Sequence, residues 1–284
     1  MKKVLFVVVV VVWGLSVLMT TTGCSDKKPS MNDSTALGVD SASLAKSDTL
    51  SQLIEGTAMP KGADELFDDF IFNFAANSKL QRQRVQFPLP VKAKGKLTNL
   101  DKSKWKTEHF FMRQGYYTLI FDNEKQMEIV NDTSVNHVIV EKVHLYNKSV
   151  QQYIFKRING RWMLTMIDNN AMYQNQNASF LAFYERFASD DEFQKSSLHV
   201  PVTVVVPDPD DDFKMMTADL YPEQWMDFRP QILPKNFIYN IIYGQKYTNS
   251  NQKLFVIRGI ANGLETQMTF RNMKGKWKLV KMIT

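Results

Sequence analysis

One pattern occurs twice in this chain, and the repetition restricts its fold more than any other feature. Phenylalanines recur at identical spacings when the sequence is shifted by 113 residues; they are Phe67, Phe70 and Phe74, then Phe180, Phe183 and Phe187. With Ile71 and Tyr184 they occupy positions i, i+3, i+4 and i+7, which lie on one face of a helix. Each copy is therefore predicted to begin with an amphipathic helix.

A strand is predicted after the helix in both copies, because the apolar residues switch to alternate positions. The alternating residues are Val85, Phe87, Leu89, Val91 and Ala93 in the first copy, and Leu198, Val200, Val202, Val204 and Val206 in the second. Alternation of this kind is typical of a strand with one buried face.

The ends of the two copies also match, at a shift of 115 residues, which aligns Gln152 with Gln267 and Trp162 with Trp277. Shortly before each tryptophan stands a turn dipeptide, Asn159-Gly160 or Lys274-Gly275. Glycine readily adopts the positive φ that tight turns need, so each dipeptide predicts a hairpin. Further strands are predicted over Tyr116 to Phe121, His137 to Tyr146, Phe237 to Tyr243 and Leu254 to Ile260.

The fold class predicted from this order is α+β, with two tandem repeats over residues 61–172 and 173–284. In each repeat an N-terminal amphipathic helix packs on a curved antiparallel sheet, which buries both apolar faces. This order resembles the cystatin-like and nuclear-transport-factor-2-like (NTF2-like) folds. The whole chain also resembles a Bacteroides-type family of lipoproteins of unknown function. That resemblance implies a fold and a location, and it supplies no catalytic residue.

The first 23 residues have the composition of a secretory signal peptide. Lys2 and Lys3 precede an apolar run from residue 4 to residue 19, and small residues lead to Gly23-Cys24. This junction resembles the lipobox of bacterial lipoproteins, which implies cleavage before Cys24 and a lipid on its side chain. The alternative is an uncleaved signal anchor. Residues 24–60 are predicted to be a lipidated, disordered tether, because they are rich in Ser, Thr and Asp and lack a sustained apolar period.

These features predict a membrane-anchored lipoprotein of the cell envelope, with the membrane and the leaflet left open. The formal charge of +6 is a mild excess. An exported protein meets anionic lipid head groups and acidic glycans, so these rank above nucleic acid as partners. Cys24 is the only cysteine, which excludes an intramolecular disulfide and a cysteine nucleophile elsewhere in the chain.

No catalytic residue, metal or cofactor is predicted. The histidines do not have the spacing of a metal site; they are His109, His137, His144 and His199. NTF2-like enzymes typically use an Asp or His base and a Tyr donor in a conical pocket between helix and sheet. Tyr116, Tyr117, Asp168 and Tyr239 supply these residue types, but their spacing selects none of them. A non-catalytic binding or scaffolding protein is therefore favoured; the alternative is a small-molecule-binding protein or enzyme that uses the pocket of one module.

The two copies differ in charge after their first helix. Basic residues that share one side of the predicted first strand are Arg82, Arg84, Lys92, Lys94 and Lys96. Their acidic counterparts in the second copy are Asp208, Asp210, Asp211 and Asp212. Three explanations stay open: the two faces are solvated, they dock onto each other within or between chains, or the basic face binds anionic lipid or acidic glycan.

Overall fold

The computed structural model describes residues 59–248 and 250–284, without the side chains of Lys61 and Asp212. The signal segment, Cys24 and nearly all of the tether lie outside these residues, so the predictions about them stay predictions. The two halves of the described part are called the first half, residues 59–172, and the second half, residues 173–284. None of the described helices combines the length and apolar character needed to cross a membrane.

Each half begins with a helix and a second, shorter helix, as the phenylalanine spacing predicts for the longer of the two. The helices are α1 (Phe67–Ala76), α2 (Ser78–Arg84), α3 (Ala178–Ser189), α4 (Asp191–Ser196) and α5 (Trp225–Phe228). Asn77 ends α1 in an extended conformation, and its side chain caps α2 by accepting a hydrogen bond from the Leu80 N–H at 2.8 Å. Asp190 does the same between α3 and α4, where it accepts from the Phe193 N–H at 2.9 Å.

The strands form one curved, twelve-stranded sheet. They are β1 (Leu89–Ala93), β2 (Lys96–Leu100), β3 (Tyr116–Phe121), β4 (His137–His144), β5 (Ser149–Ile158), β6 (Arg161–Ala171), β7 (Leu198–Asp208), β8 (Asp211–Leu220), β9 (Phe237–Ile242), β10 (Gln252–Gly259), β11 (Glu265–Met273) and β12 (Lys276–Ile283). Their order across the sheet is β2-β1-β6-β5-β4-β9-β3-β10-β11-β12-β7-β8.

The strand order is the same when it is followed inward from either end of the sheet. Strands β2-β1-β6-β5-β4 of the first half correspond to β8-β7-β12-β11-β10 of the second. The two central strands are exchanged: β9 of the second half pairs with β4, and β3 of the first half pairs with β10. The exchange makes the sheet continuous between the two halves.

The core has two parts, which lie on opposite faces of the sheet. Helix α1 packs against a cluster that includes Leu119 of β3, whereas α3 packs against a cluster that includes the adjacent Ile120. Successive residues of a strand point to opposite faces, so the two long helices cover the sheet from opposite sides. Both Leu119 and Ile120 are fully buried, which shows that the centre of the sheet is covered on both faces.

Local features repeat between the halves. The Trp105 indole donates to the Gln81 side-chain oxygen at 3.2 Å, and the Trp225 indole donates to Gln194 at 2.8 Å. The predicted hairpins are confirmed: Gly160 and Gly275 have φ of 76° and 83° and connect β5 to β6 and β11 to β12.

The predicted first strand is only partly correct. Arg82 and Arg84 lie on α2, and the strand begins at Leu89 instead of Val85. Val85 forms an isolated bridge to Leu164. An asparagine cap can start a helix wherever the following residues permit one, and Asn77 does so here before the alternation begins. The matching strand of the second half, β7, has the predicted position.

Candidate functional site

Glu141 is a carboxyl group buried at the centre of the structure, with 1% of its surface exposed. It lies on β4 between two neighbouring strands, opposite Gln152 of β5 and opposite Asn240 of β9. Directly opposite residues of paired strands lie side by side on one face of a sheet. The strand register therefore places two amide side chains beside the carboxyl group, one from each half of the chain.

Three amide groups hydrogen-bond to this carboxyl group. The Gln152 and Asn175 amides donate to Oε1 at 2.9 Å and 2.7 Å. The Asn240 amide donates to Oε2 at 3.0 Å. Asn175 belongs to the connection before α3, so three separate segments hold Glu141 in place.

Burial raises the pKa of Glu141, and the three amide hydrogen bonds act in the opposite direction. None of the ion pairs formed by the described residues includes Glu141. A buried carboxylate without a cation is costly, because amide dipoles replace only part of the lost hydration. Such groups concentrate at functional sites.

Glu141 lines a cavity of about 400 Å³. The cavity is bounded by β4 and β5, by the connection between β6 and α3, and by the loop that follows β9. His137, Gln245 and Tyr247 contribute further polar groups to the lining. Its volume lies within the range of sites that bind small molecules. Because both halves contribute to the walls, neither half forms this cavity alone.

The loop after β9 is fixed against the sheet. The Tyr247 hydroxyl donates to the Ile120 carbonyl at 2.9 Å, and the Gln245 amide donates to the same oxygen at 3.3 Å. Lys253 lies over the Tyr247 ring, 4.7 Å from its centroid, and pairs with Asp122 at 2.5 Å. Burial and, secondarily, the charge of Glu141 raise the pKa of Tyr247 well above its ordinary value.

A polar atom without a hydrogen-bond partner lies next to Glu141. In the described part of the chain, the side-chain oxygen of Asn240 is buried without such a partner, although its nitrogen donates to Glu141. Buried polar groups are nearly always satisfied. The Asn240 oxygen is therefore an exception within the core.

The conical pocket expected between helix and sheet is largely filled in the first half. Phe67, Phe70 and Phe74 of α1 pack edge-on against Phe155, with ring centroids 5.3–5.9 Å apart. A cavity of about 490 Å³ remains near Glu108. Aromatic side chains therefore occupy most of the space between α1 and the sheet.

The residue types considered for an enzyme do not assemble into one site. The Tyr239 hydroxyl donates to Glu108 at 3.4 Å, whereas the Tyr117 hydroxyl donates to Asp68 at 3.2 Å. Asp168 pairs with Lys92 at 3.2 Å. Tyr116 packs against the second cluster, on the other face of the sheet from Tyr117. The described residues contain no group of three His, Cys, Asp or Glu side chains positioned to hold a metal.

The basic residues do not share one strand face, so that prediction is wrong. Arg84 on α2 pairs with Asp64 at 2.8 Å, and Arg82 is exposed on the same helix. Lys92 lies on β1, Lys94 in the following turn and Lys96 on β2. Only these three lysines form a compact group, because they belong to one hairpin.

The acidic residues lie at the β7–β8 hairpin. Asp208 ends β7, Asp210 lies in the turn, and Asp211 begins β8 and pairs with Lys214 at 2.7 Å. The Asp212 side chain is outside the described part. The basic and acidic hairpins occupy opposite ends of the strand order. No ion pair of the described residues joins the two hairpins. If the basic and acidic hairpins dock onto each other, they therefore do so between two chains and not within one.

The model of a family described as a domain of unknown function, DUF4348, matches residues 46–284. The chain belongs to this family. A crystal structure of an NTF2-like protein from Bacteroides fragilis is 40% identical in sequence, with a TM-score of 0.74 over 80% of this chain and 98% of that one. Among curated proteins, none matches the chain. The fold of this DUF4348 chain is therefore NTF2-like, as the order of elements predicts; the lipid anchor and the tandem repeats remain predictions.

Sequence analysis did not select Glu141 as a site residue. Within β4 of the DUF4348 chain, the alternate residues Ile139, Glu141 and Val143 lie on one face. An acidic residue between two aliphatic ones at alternate positions is a signal of a buried carboxyl group. That signal is short, and Lys142 beside it makes the segment resemble an ordinary exposed strand edge.

Proposed function

We propose that this DUF4348 chain is a non-catalytic binding protein of the cell envelope, held on a membrane by lipid at Cys24. Its ligand is a small polar molecule that enters the Glu141 cavity. The observation that supports this function best is the buried carboxyl group itself, which lines a molecule-sized cavity and forms no ion pair with the described residues.

The location is supported by sequence alone. The basic residues, the apolar run and the Gly23-Cys24 junction form the pattern of a lipoprotein signal. Fatty-acid labelling of the chain expressed in a bacterium tests this proposal. Label should appear on the wild type and be lost in Cys24→Ser. Label that persists in Cys24→Ser, or a wild type that remains unlabelled, would exclude the anchor.

Two tandem repeats, over residues 61–172 and 173–284, are part of the proposal. They are supported by the equal strand order from both ends of the sheet and by the matched Trp–Gln hydrogen bonds. In this view the exchanged strands β3 and β9 lock two NTF2-like units into one sheet. The cavity is then a product of the exchange, because β9 supplies Asn240 to a carboxyl group on β4.

Binding is favoured over catalysis by the partners of Glu141. General acid–base catalysis needs a titrating group placed to give or take a proton from a substrate. All three hydrogen bonds to Glu141 come from amides, which do not titrate in the range of a protein. The arrangement holds the carboxyl group in one position and suits recognition.

Thermal shift measurements with a panel of small polar molecules test the proposed function on the full chain. The panel comprises amino acids, amines, sugars and polyols. A ligand at 100 times its Kd stabilises a protein by about 2.7 kcal/mol. For a domain of this size that corresponds to a Tm increase of about 5–11 °C.

Two variants make the measurement specific. Glu141→Gln should abolish the shift, while Glu223→Gln, at an exposed position of the second half, should preserve it. A panel that shifts neither the wild type nor the control, or a shift that Glu141→Gln retains in full, would overturn the proposal.

A further inference from the structure

We infer that the group recognised in the Glu141 cavity is a protonated amine of a small molecule. This inference rests on the proposed function and specifies the chemistry of that same site. It is supported by the charge of the lining, by the hydrogen-bonding capacity that remains beside Glu141, and by the residue at the corresponding position of the second half.

Charge is the first argument. Within the described lining, Glu141 is the only acidic side chain, and neither Lys nor Arg contributes to compensate a charge on it at neutral pH. His137 is neutral there, because burial and the nearby Lys156 lower its pKa. An anionic group would favour the protonated form of Glu141 further, and a neutral hydroxyl would not compensate a charge on it. A cationic group removes the cost of burying Glu141 in ionised form.

Hydrogen bonding is the second argument, because the site has acceptors that need a donor. A carboxylate offers about four acceptor positions, and the described residues use three of them at Glu141. The Asn240 amide nitrogen is committed to Glu141 Oε2, which fixes the orientation of that amide. Its oxygen is a buried acceptor without a partner among the described residues. The remaining acceptor position of Glu141 needs a hydrogen-bond donor, and an ammonium group provides three donors where a hydroxyl provides one.

A metal ion fits less well than an amine. Ca²⁺ and Mg²⁺ take several oxygen ligands, usually with more than one carboxylate. Both acceptor positions of Glu141 Oε1 are already used by amide N–H groups. A cavity of about 400 Å³ also exceeds the space that an ion requires. The site therefore suits a molecule with an ammonium group.

The fold itself does not require a carboxyl group at this position. Glu141 lies opposite Gln152 in the β4–β5 ladder, and Val256 lies opposite Gln267 in the corresponding β10–β11 ladder. Val256 is fully buried. An aliphatic residue thus occupies the corresponding position of the second half without any desolvation cost. Retaining a buried acid in the first half points to a use beyond packing.

Matched amines and alcohols test the inference by isothermal titration calorimetry on the full chain near neutral pH. The probe pairs are glucosamine with glucose and n-butylamine with n-butanol, which differ in the amine and share their size. At least one amine should bind at least about tenfold more tightly than its alcohol, a difference of about 1.4 kcal/mol. Glu141→Gln should remove this preference, whereas Glu223→Gln should retain it.

Each outcome assigns a cause. Equal affinity for an amine and its alcohol, with both lost in an Asn175→Leu variant that narrows the cavity, would overturn the amine inference and preserve the proposed function. Failure of every probe and of the whole panel would overturn both. An amine preference that survives in Glu141→Gln, with an unchanged far-ultraviolet circular dichroism spectrum, would show that another group recognises the amine.

Discussion

Replacing Lys253 with Met should destabilise the protein by about 3–5 kcal/mol, because it leaves a carboxylate buried without its cation. The Lys253 ammonium lies 2.5 Å from Asp122, and the two side chains are 5% and 3% exposed. Asp122 also accepts two hydrogen bonds from Thr248, at 2.7 Å from the backbone N–H and 3.0 Å from the hydroxyl. Thr248 directly follows Tyr247 in the loop after β9, so the ion pair helps to fix one wall of the Glu141 cavity.

The size of this loss of stability follows from the burial of the Lys253–Asp122 pair. Domains of 150–250 residues lose about 2–4 °C of Tm for each kcal/mol, so Lys253→Met should lower the Tm by about 6–20 °C. Lys281→Met is the matched control, because its partner Glu124 is 63% exposed. Removing that surface pair should cost less than about 1 kcal/mol.

Urea unfolding, followed by tryptophan fluorescence, measures both variants. Asp122→Asn combined with Lys253→Met leaves no buried charge, and the asparagine oxygen still accepts from Thr248. This double variant should be more stable than Lys253→Met alone, with a coupling of up to about 3 kcal/mol. A cost below about 1 kcal/mol for Lys253→Met, or strictly additive effects in the double variant, would refute this account of the pair.

Three further predictions concern other parts of the molecule. Burial raises the pKa of Glu141 above its ordinary 4.5, so ionisation of Glu141 disfavours folding. Relative to Glu141→Gln, the wild type should lose stability as the pH rises from 4.5 through the pKa of the folded state. Urea titrations in which the stability difference between the two proteins does not change with pH would contradict this. Gly275→Ala should lower the free energy of unfolding by about 1–2 kcal/mol in the same assay, because the φ of 83° at this position strains any residue with a Cβ. Gly62→Ala is the control: φ at Gly62 is ordinary, so the free energy of unfolding should change little. Replacing the three lysines of the β1–β2 hairpin, Lys92, Lys94 and Lys96, with glutamate should abolish salt-sensitive sedimentation of the protein with anionic vesicles. A wild type that does not sediment with the vesicles would exclude lipid as the partner of this hairpin.

The helices and hairpins could be predicted because their signals are local. Phe67, Phe70 and Phe74 lie within one helix, and all three are buried as their spacing requires. Gly160 lies in a turn whose geometry depends on two residues. Alternation alone misplaced the start of β1, because a helix capped by Asn77 and a strand compete for the same residues. Local patterns therefore predicted the elements more reliably than their limits.

The exchange of strands could not be predicted in the same way. Strands β3 and β9 are apolar along nearly their whole length, so either face and either neighbour satisfies the pattern. Which strand pairs with β4 depends on tertiary packing against α1 and α3. The register that places Asn240 opposite Glu141 joins residues 99 positions apart. The pairing has no local signal, and the site that depends on it has only the short signal at Glu141.

The exchange also explains why the cavity differs from the pocket expected of one NTF2-like unit. That pocket lies between a helix and its own sheet, and phenylalanines fill most of it here. Glu141 points to the opposite face, where the connection before α3 and the loop after β9 meet the first half. A cavity on this face exists only where strands of both halves are adjacent. Ligand binding at Glu141 should therefore stabilise the contact between the halves directly, since Asn175 and Asn240 reach the carboxyl group from separate segments.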